Sequence, residues 1–211
     1  MRIVVISDTH MLHDRLVVPD GDLLIHCGDF SNEPIVSEYE EFFSWLAAQP
    51  HKHKVLVAGN HDELLQQFPG MVRRRIPHGI TYLEDSATQV GRLKIFGSPW
   101  TPGVSYMAFT YGHKNDGPHV PEWSMIPGFT DVVVTHGPPR GILDRNYAGQ
   151  HIGDQGLLAR VAAIRPLLHL FGHVHDDNGE LVQDGTRFVN AAIGDDDEDP
   201  DLSARIHVVD L

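Results

Sequence analysis

Asp8-Thr9-His10, Gly28-Asp29, Gly59-Asn60-His61-Asp62, Thr135-His136-Gly137 and Gly172-His173-Val174-His175 each follow a short apolar run. Imidazole, carboxylate and amide oxygen together make a mixed nitrogen and oxygen shell for metal ions. Asp-x-His and His-x-His in extended chain put both side chains on one face, because residues i and i+2 share a face. Taken singly, each cluster has a plainer meaning: a turn, a pair of strand histidines, a helix cap. Together and in this order they predict a site for two divalent ions, with Asp29 as the natural bridge between them. The shell suits manganese first, with iron, zinc, cobalt or magnesium as the other candidates. Two ions about 3.5–4 Å apart can clamp the attacking and leaving oxygens of an in-line displacement.

Such a site exists only if the apolar runs bring their ends together. Strand-like runs occur at 2–7, 23–27, 54–58, 81–83, 94–96, 131–135, 167–171, 187–191 and 204–209. Several are apolar throughout, as strands buried on both faces are. Helical spacing of Tyr39, Phe42, Phe43, Trp45 and Leu46 predicts a helix over 37–49, capped by Ser37 and ended before Pro50. Leu157, Leu158, Val161, Ala162 and Ile164 predict another over 154–165, stopped by Pro166. The first third reads β-α-β-α-β and the last third as hairpins. The fold class expected is α/β of the α+β type: two mixed sheets packed as a sandwich, with helices outside. In sheets with helical crossovers the strand C-termini share an edge, and ligands bind there. That edge would collect Asp8, His10, Asp29, Asn60, His136, His173 and His175.

These clusters resemble the signature of the calcineurin-like metallophosphoesterase family: D-x-H, G-D, G-N-H-[DE], a strand-end His and G-H-x-H. The match runs from Asp8 to His175 with no departure at a metal-ligand position. Tyr82-Leu83-Glu84-Asp85-Ser86, Gly97-Ser98-Pro99-Trp100-Thr101-Pro102 and Thr135-His136-Gly137-Pro138-Pro139 are similar to the fetal-brain-239-type phosphodiesterase branch. The resemblance implies a β-sandwich flanked by helices. It also implies one ion on Asp8, His10, Asp29 and His175, and a second on Asp29, Asn60, His136 and His173. It makes His61, beside Asn60, the group that protonates the leaving oxygen or steadies the charged phosphorane. Asp62 either orients His61 or begins a helix before Glu63. Arg140, four residues after His136, either grips the substrate phosphate or forms a surface salt bridge; here the sequence departs from the family.

The expected reaction is hydrolysis of a small phosphodiester, with a cyclic or other nucleotide among the candidate substrates. A phosphomonoesterase or protein phosphatase, and a catalytically silent scaffold for protein interaction, are the alternatives. With 211 residues there is room for one domain over 1–211. The net charge of −13 disfavours long nucleic acid as a partner, since Arg73-Arg74-Arg75 is too short to line a groove. One cysteine, Cys27, excludes an internal disulfide. No run approaches the ~20 apolar residues of a membrane span, and the cytoplasm is the expected compartment. Nothing in the sequence sets an oligomeric state. The Pro-, Gly- and aromatic-rich segment 100–127 reads as a binding wall, a lid or a self-packed excursion. The acidic run 195–201 reads as a solvated loop.

Overall fold

The computed structural model describes residues 1–103, 106–112, 122–194 and 201–211. Strands β1 (Arg2–Ile6), β2 (Leu23–His26), β3 (His53–Val57) and β4 (Ile80–Leu83) run parallel in one sheet. The chain then enters a second sheet through the antiparallel pair β5 (Ser86–Val90) and β6 (Leu93–Ser98). A short ribbon follows, β7 (Thr101–Pro102) with β8 (Thr110–Tyr111). Strands β9 (Val132–Thr135), β10 (Leu168–Phe171), β11 (Gly179–Gln183) and β12 (Thr186–Asn190) complete the second sheet, in the order β11-β12-β10-β9-β6-β5. Finally β13 (His207–Asp210) returns antiparallel to β1. The expected architecture of two mixed sheets is the one observed.

Alternation along each strand explains the layers. Ile3, Val5, Ile25, Val55 and Val57 face inward and meet Ile95, Val132, Val134, Leu170 and Val189 of the other sheet. Val4, Ile6, Leu24 and Leu56 point outward and are covered by Phe42, Phe43 and Leu46 of α1 (Val36–Ala48). Two short helices, α2 (Glu63–Gln67) and α3 (Pro69–Val72), extend that layer through Leu64, Leu65 and Val72. On the far side, Phe96, Val133, Phe171 and Phe188 are covered by Leu157 and Val161 of α4 (Gln155–Ile164). Each such aliphatic or aromatic side chain contributes about 1.5–3 kcal/mol when fully buried. Among the described residues no helix is long and apolar enough to cross a membrane.

The predicted helix starts need one correction. Asp154 caps α4 as expected, its side chain accepting from Leu157 N. Ser37 does not cap α1, which begins at Val36 after extended Ile35. The loop ahead is held instead by Glu38, whose Oε2 accepts from Asn32 N and Glu33 N at 2.7 and 3.0 Å. His113, His119 and the acidic residues 195–200 lie outside the described residues.

His26 and His169 are fully buried within strands. Thr135 Oγ1 donates to Gly137 O at 2.7 Å, so it accepts from His169 Nε2 at 2.9 Å, and His169 is the neutral Nε2–H tautomer. Burial lowers both imidazoles to about 3. The unfolded chain therefore binds these protons first, below pH 6.5, while the native state excludes them. Stability is fully present at pH 7 and is lost as pH falls towards 3. We expect a loss of about 2 kcal/mol per histidine between pH 7 and pH 5. Comparing the change in urea midpoint from pH 7 to pH 5 in the native protein and in His169→Asn isolates the His169 share, and equal changes would contradict the assignment.

Candidate metal centre

The parallel strands set the site. The chain ends of β1, β2, β3, β9 and β10 reach one edge of the sandwich, where Ser7 bridges to Ala192 across the two sheets. Asp8 N donates to Gly28 O at 2.8 Å, and Gly172 N donates to His136 O at 3.0 Å. The turns leaving these strands are sharp. Asp8, His10, Asp29 and His173 all adopt positive φ, between 42° and 69°. Outside glycine that conformation is uncommon, though Asp and His are among the residues that tolerate it. Strain of this kind clusters at functional sites.

The seven strand-end residues meet there. Asp8, His10 and His175 offer ligand atoms within 4.8 Å of one another, and so do Asp29, His136 and His173. His175 Nε2 stands 3.4 Å from Asp8 Oδ1. Asp29 Oδ2 lies between the groups, 4.0 Å from His10 Nε2 and 3.3 Å from His136 Nε2. Asn60 Oδ1 is 2.9 Å from His136 Nε2.

Partners behind the imidazoles select which nitrogen faces inward. His136 Nδ1 donates to Cys27 O at 3.1 Å, and His10 Nδ1 donates to Asn32 Oδ1 at 3.1 Å. Both Nε2 atoms are thereby turned to the centre. His10 Nε2 is buried and has no hydrogen-bond partner among the described residues. A bare, buried acceptor aimed at a carboxylate is unfavourable unless a cation occupies the space between them. The donor set, two carboxylates, four imidazoles and an amide oxygen, fits divalent transition metals.

Charge reinforces the fit. Burial alone would raise the Asp8 and Asp29 carboxyls. For Asp8 the His175 hydrogen bond and the nearby His136 and His175 charges outweigh burial. For Asp29 the charge and hydrogen bond of His136 do the same. Both carboxyls are held well below the usual carboxylate range. Burial lowers His173 to about 4, helped by the His136 charge. Burial would also lower His136, but Asp29 overrides it and raises the imidazole to about 9. The chain thus presents ionised carboxylates in a buried place.

Glycine is required where the carboxylates approach the next turn. A Cβ on Gly172 would collide with Asp8 Oδ2 and Ser7 Oγ, and one on Gly59 with Asp29 Oδ1. We expect Gly172→Ala to weaken metal retention and lower any metal-dependent activity about 100-fold, as displacing a ligand's support does. Metal content after dialysis checks it; full retention would show that the turn yields freely.

His61 and Asp62 follow Asn60. The His61 imidazole is partly exposed and packs edge-on against His10 with ring centroids 4.9 Å apart. Its backbone N donates to Asp29 Oδ1 at 2.8 Å. Asp62 does not orient His61. Its Oδ2 accepts from Gly59 N and Asp29 N at 2.7 and 2.9 Å, and its Oδ1 from Phe30 N, Ser31 N and Ser31 Oγ at 3.2, 3.1 and 2.8 Å. It also gives α2 no side-chain cap. The carboxylate pins the two turns that carry Asp29 and Asn60, a role for which the sequence has no local signal. Burial and the Asp29 charge push the carboxyl up to about 7, whereas its donors favour the anion.

Of its two readings, Arg140 takes the surface position. It is exposed, its Nη1 donates to His151 O at 3.2 Å, and it lines neither groove at the cluster. Asn190 is buried, donating to Val174 O at 2.8 Å and thereby steadying the His173–His175 turn. His13 packs on Phe42 and Trp45, and Trp100 donates to Asp85 Oδ2 at 2.9 Å. The groove over the cluster also includes Met107, Asn146, Tyr147, Ile152 and Asp176, none of which stands out in the sequence. Tyr147 is 90% exposed at its rim, on a turn where Asn146 Oδ1 accepts from Ala148 N and Gln150 N. Asn146-Tyr147-Ala148-Gly149 is a turn signal in the sequence, but nothing in it points towards the site.

Residues 1–177 match the family model described as Calcineurin-like phosphoesterase. Metallophosphoesterase domain-containing protein 1 of Homo sapiens is 33% identical over 91% of this chain, and the match spans 66% of the human protein's length. A UPF0046 protein of Caenorhabditis elegans is 35% identical over 91% of this chain and 69% of its own. Among solved structures, TT1561 of Thermus thermophilus superposes with a TM-score of 0.61 at 15% identity, covering 99% of this chain and 98% of that one, which is a likeness of fold.

Proposed function

The chain belongs to the calcineurin-like phosphoesterase family, and from that premise we propose that it is a two-metal phosphodiesterase acting on a small phosphate ester. The observation that carries the reading is Asp29 Oδ2 standing 4.0 Å from His10 Nε2 on one side and 3.3 Å from His136 Nε2 on the other. Asp8, His10 and His175 would hold one ion, and Asn60, His136 and His173 the other, with Asp29 shared. Divalent ions held there supply Lewis-acid activation of water and of the phosphoryl oxygen. Manganese is the first candidate, on the donor set alone.

The chain's own residues do the rest. His61 lines the groove with its ring edge-on to His10, which places it to give a proton to the leaving oxygen. Asp29 fixes the His61 backbone through Oδ1, so ligand and acid move as one unit. The groove lining contains no Lys or Arg among the described residues. The diester is favoured by the likeness of residues 82–86, 97–102 and 135–139 to the phosphodiesterase branch.

Hydrolysis of bis-p-nitrophenyl phosphate tests the reading directly. We expect turnover with manganese, loss of turnover after chelation, and recovery on manganese addition. Preference for p-nitrophenyl phosphate over the diester would move the assignment to a monoesterase. No turnover with any divalent metal would favour the silent scaffold.

A further inference from the structure

Two grooves leave the cluster. One carries His61, Asn146, Tyr147 and Asp176. The other, about 400 Å³, adds Pro102, Gly103 and Thr110 and shares Asn60, Met107, Ile152 and His173 with the first. We propose that this second groove binds the non-leaving ester group of the substrate and that this group is apolar, an aryl or alkyl moiety. The inference rests on the phosphodiesterase reading and on His61 as the acid for the leaving oxygen.

The side is set by His61. It lines the first groove and not the second, so the leaving group lies in the first and the retained ester in the second. Hydrolysis joins water oxygen to phosphorus, breaks the bond to the leaving oxygen, and gives that oxygen a proton. The apolar group stays on the product monoester.

The chemistry of the walls sets the class. Thr110 Oγ1 donates to Met107 O at 2.9 Å. Asn60 turns its Oδ1 to His136, 2.9 Å away, and its Nδ2 to Met107 Sδ, 3.6 Å away. What remains is a proline ring, a thioether and a branched aliphatic chain. Such a surface gains from burying apolar area, and among the described residues its side-chain polar atoms are turned to protein partners. Methionine adapts to irregular apolar groups.

The wall is also fixed relative to the metal ligands. Ala108 N donates to Asn60 O at 3.1 Å, Thr101 N to Phe109 O at 3.0 Å and Gly103 N to Tyr111 O at 3.2 Å. Gly103 permits this closeness, since a Cβ there would lie 2.8 Å from Thr110 Cγ2. Whatever fills the groove is therefore held against Asn60 in a preset position.

The test compares phenyl p-nitrophenyl phosphate with methyl p-nitrophenyl phosphate, each normalised to its hydroxide-promoted rate. We expect kcat/KM to favour the phenyl diester about 10–100-fold, the range an apolar pocket can supply. Thr110→Asn should cut that ratio severalfold, and Pro102→Ser provides a second wall change should the first fold poorly; both residues line the second groove and not the first. A phenyl-to-methyl ratio near one in the native protein, or a ratio unchanged in both variants, overturns the proposal while leaving the phosphodiesterase reading standing. Turnover of neither diester overturns both.

Discussion

Asp29→Asn is expected to remove most bound metal and to lower phosphodiester turnover by roughly three orders of magnitude. Changes behind metal ligands cost about 10–100-fold in affinity or activity, and Asp29 faces both ligand groups directly. The amide would also do active harm. Asp29 Oδ1 accepts from His61 N at 2.8 Å, which forces the carbonyl oxygen of an Asn to that side. Its NH₂ would then face His10 Nε2 and His136 Nε2 and donate to the lone pairs a cation needs. The fold should survive, because the Asp29 backbone keeps its bond to Asp62. Metal analysis, a hydrolysis assay and a thermal melt on one preparation separate these effects. A variant with two metals and near-native turnover would show that Asp29 does not bridge.

His61→Ala is expected to lower kcat about 10²–10⁴-fold with metal content unchanged, the range general acid catalysis supplies. The imidazole can be removed cleanly, because its ring contact is with His10 and the backbone bond to Asp29 persists. The loss should depend on the leaving group. p-Nitrophenolate departs with little need of a proton, so its diester should lose least, and an alkyl leaving group should lose most. Equal losses across a leaving-group series would assign His61 to binding the phosphoryl group instead. A fall in bound metal would assign it to holding the cluster together.

The ligand cluster is legible in the sequence because strand direction carries its information. The runs before Asp8, Asp29, Asn60 and His136, and before His173, are apolar on both faces, and such strands lie parallel with their ends aligned. The structure brings those ends together. Half-exposed strands are harder to see. Ser86–Val90 and Gly179–Gln183 carry exposed side chains at most positions and have no apolar run to mark them. Asp62 gives no local sign of its role because its partners, Gly59 and Asp29 to Ser31, are gathered only by the β2–β3 pairing. Arg140 looks suitable by its spacing from His136, but its guanidinium turns to the carbonyl of His151. The groove walls escape for a similar reason. Met107 and Ile152 come from aperiodic segments far apart in the chain, and only tertiary packing makes them neighbours.

Metal stoichiometry on the loaded, gel-filtered protein bears most directly on the claim that seven strand-end side chains hold a pair of cations. Elemental analysis after manganese loading should find two ions per chain in the native protein and fewer than one in Asp29→Asn. A native chain that retains none, or an Asp29→Asn chain that still holds two, would contradict the site as drawn.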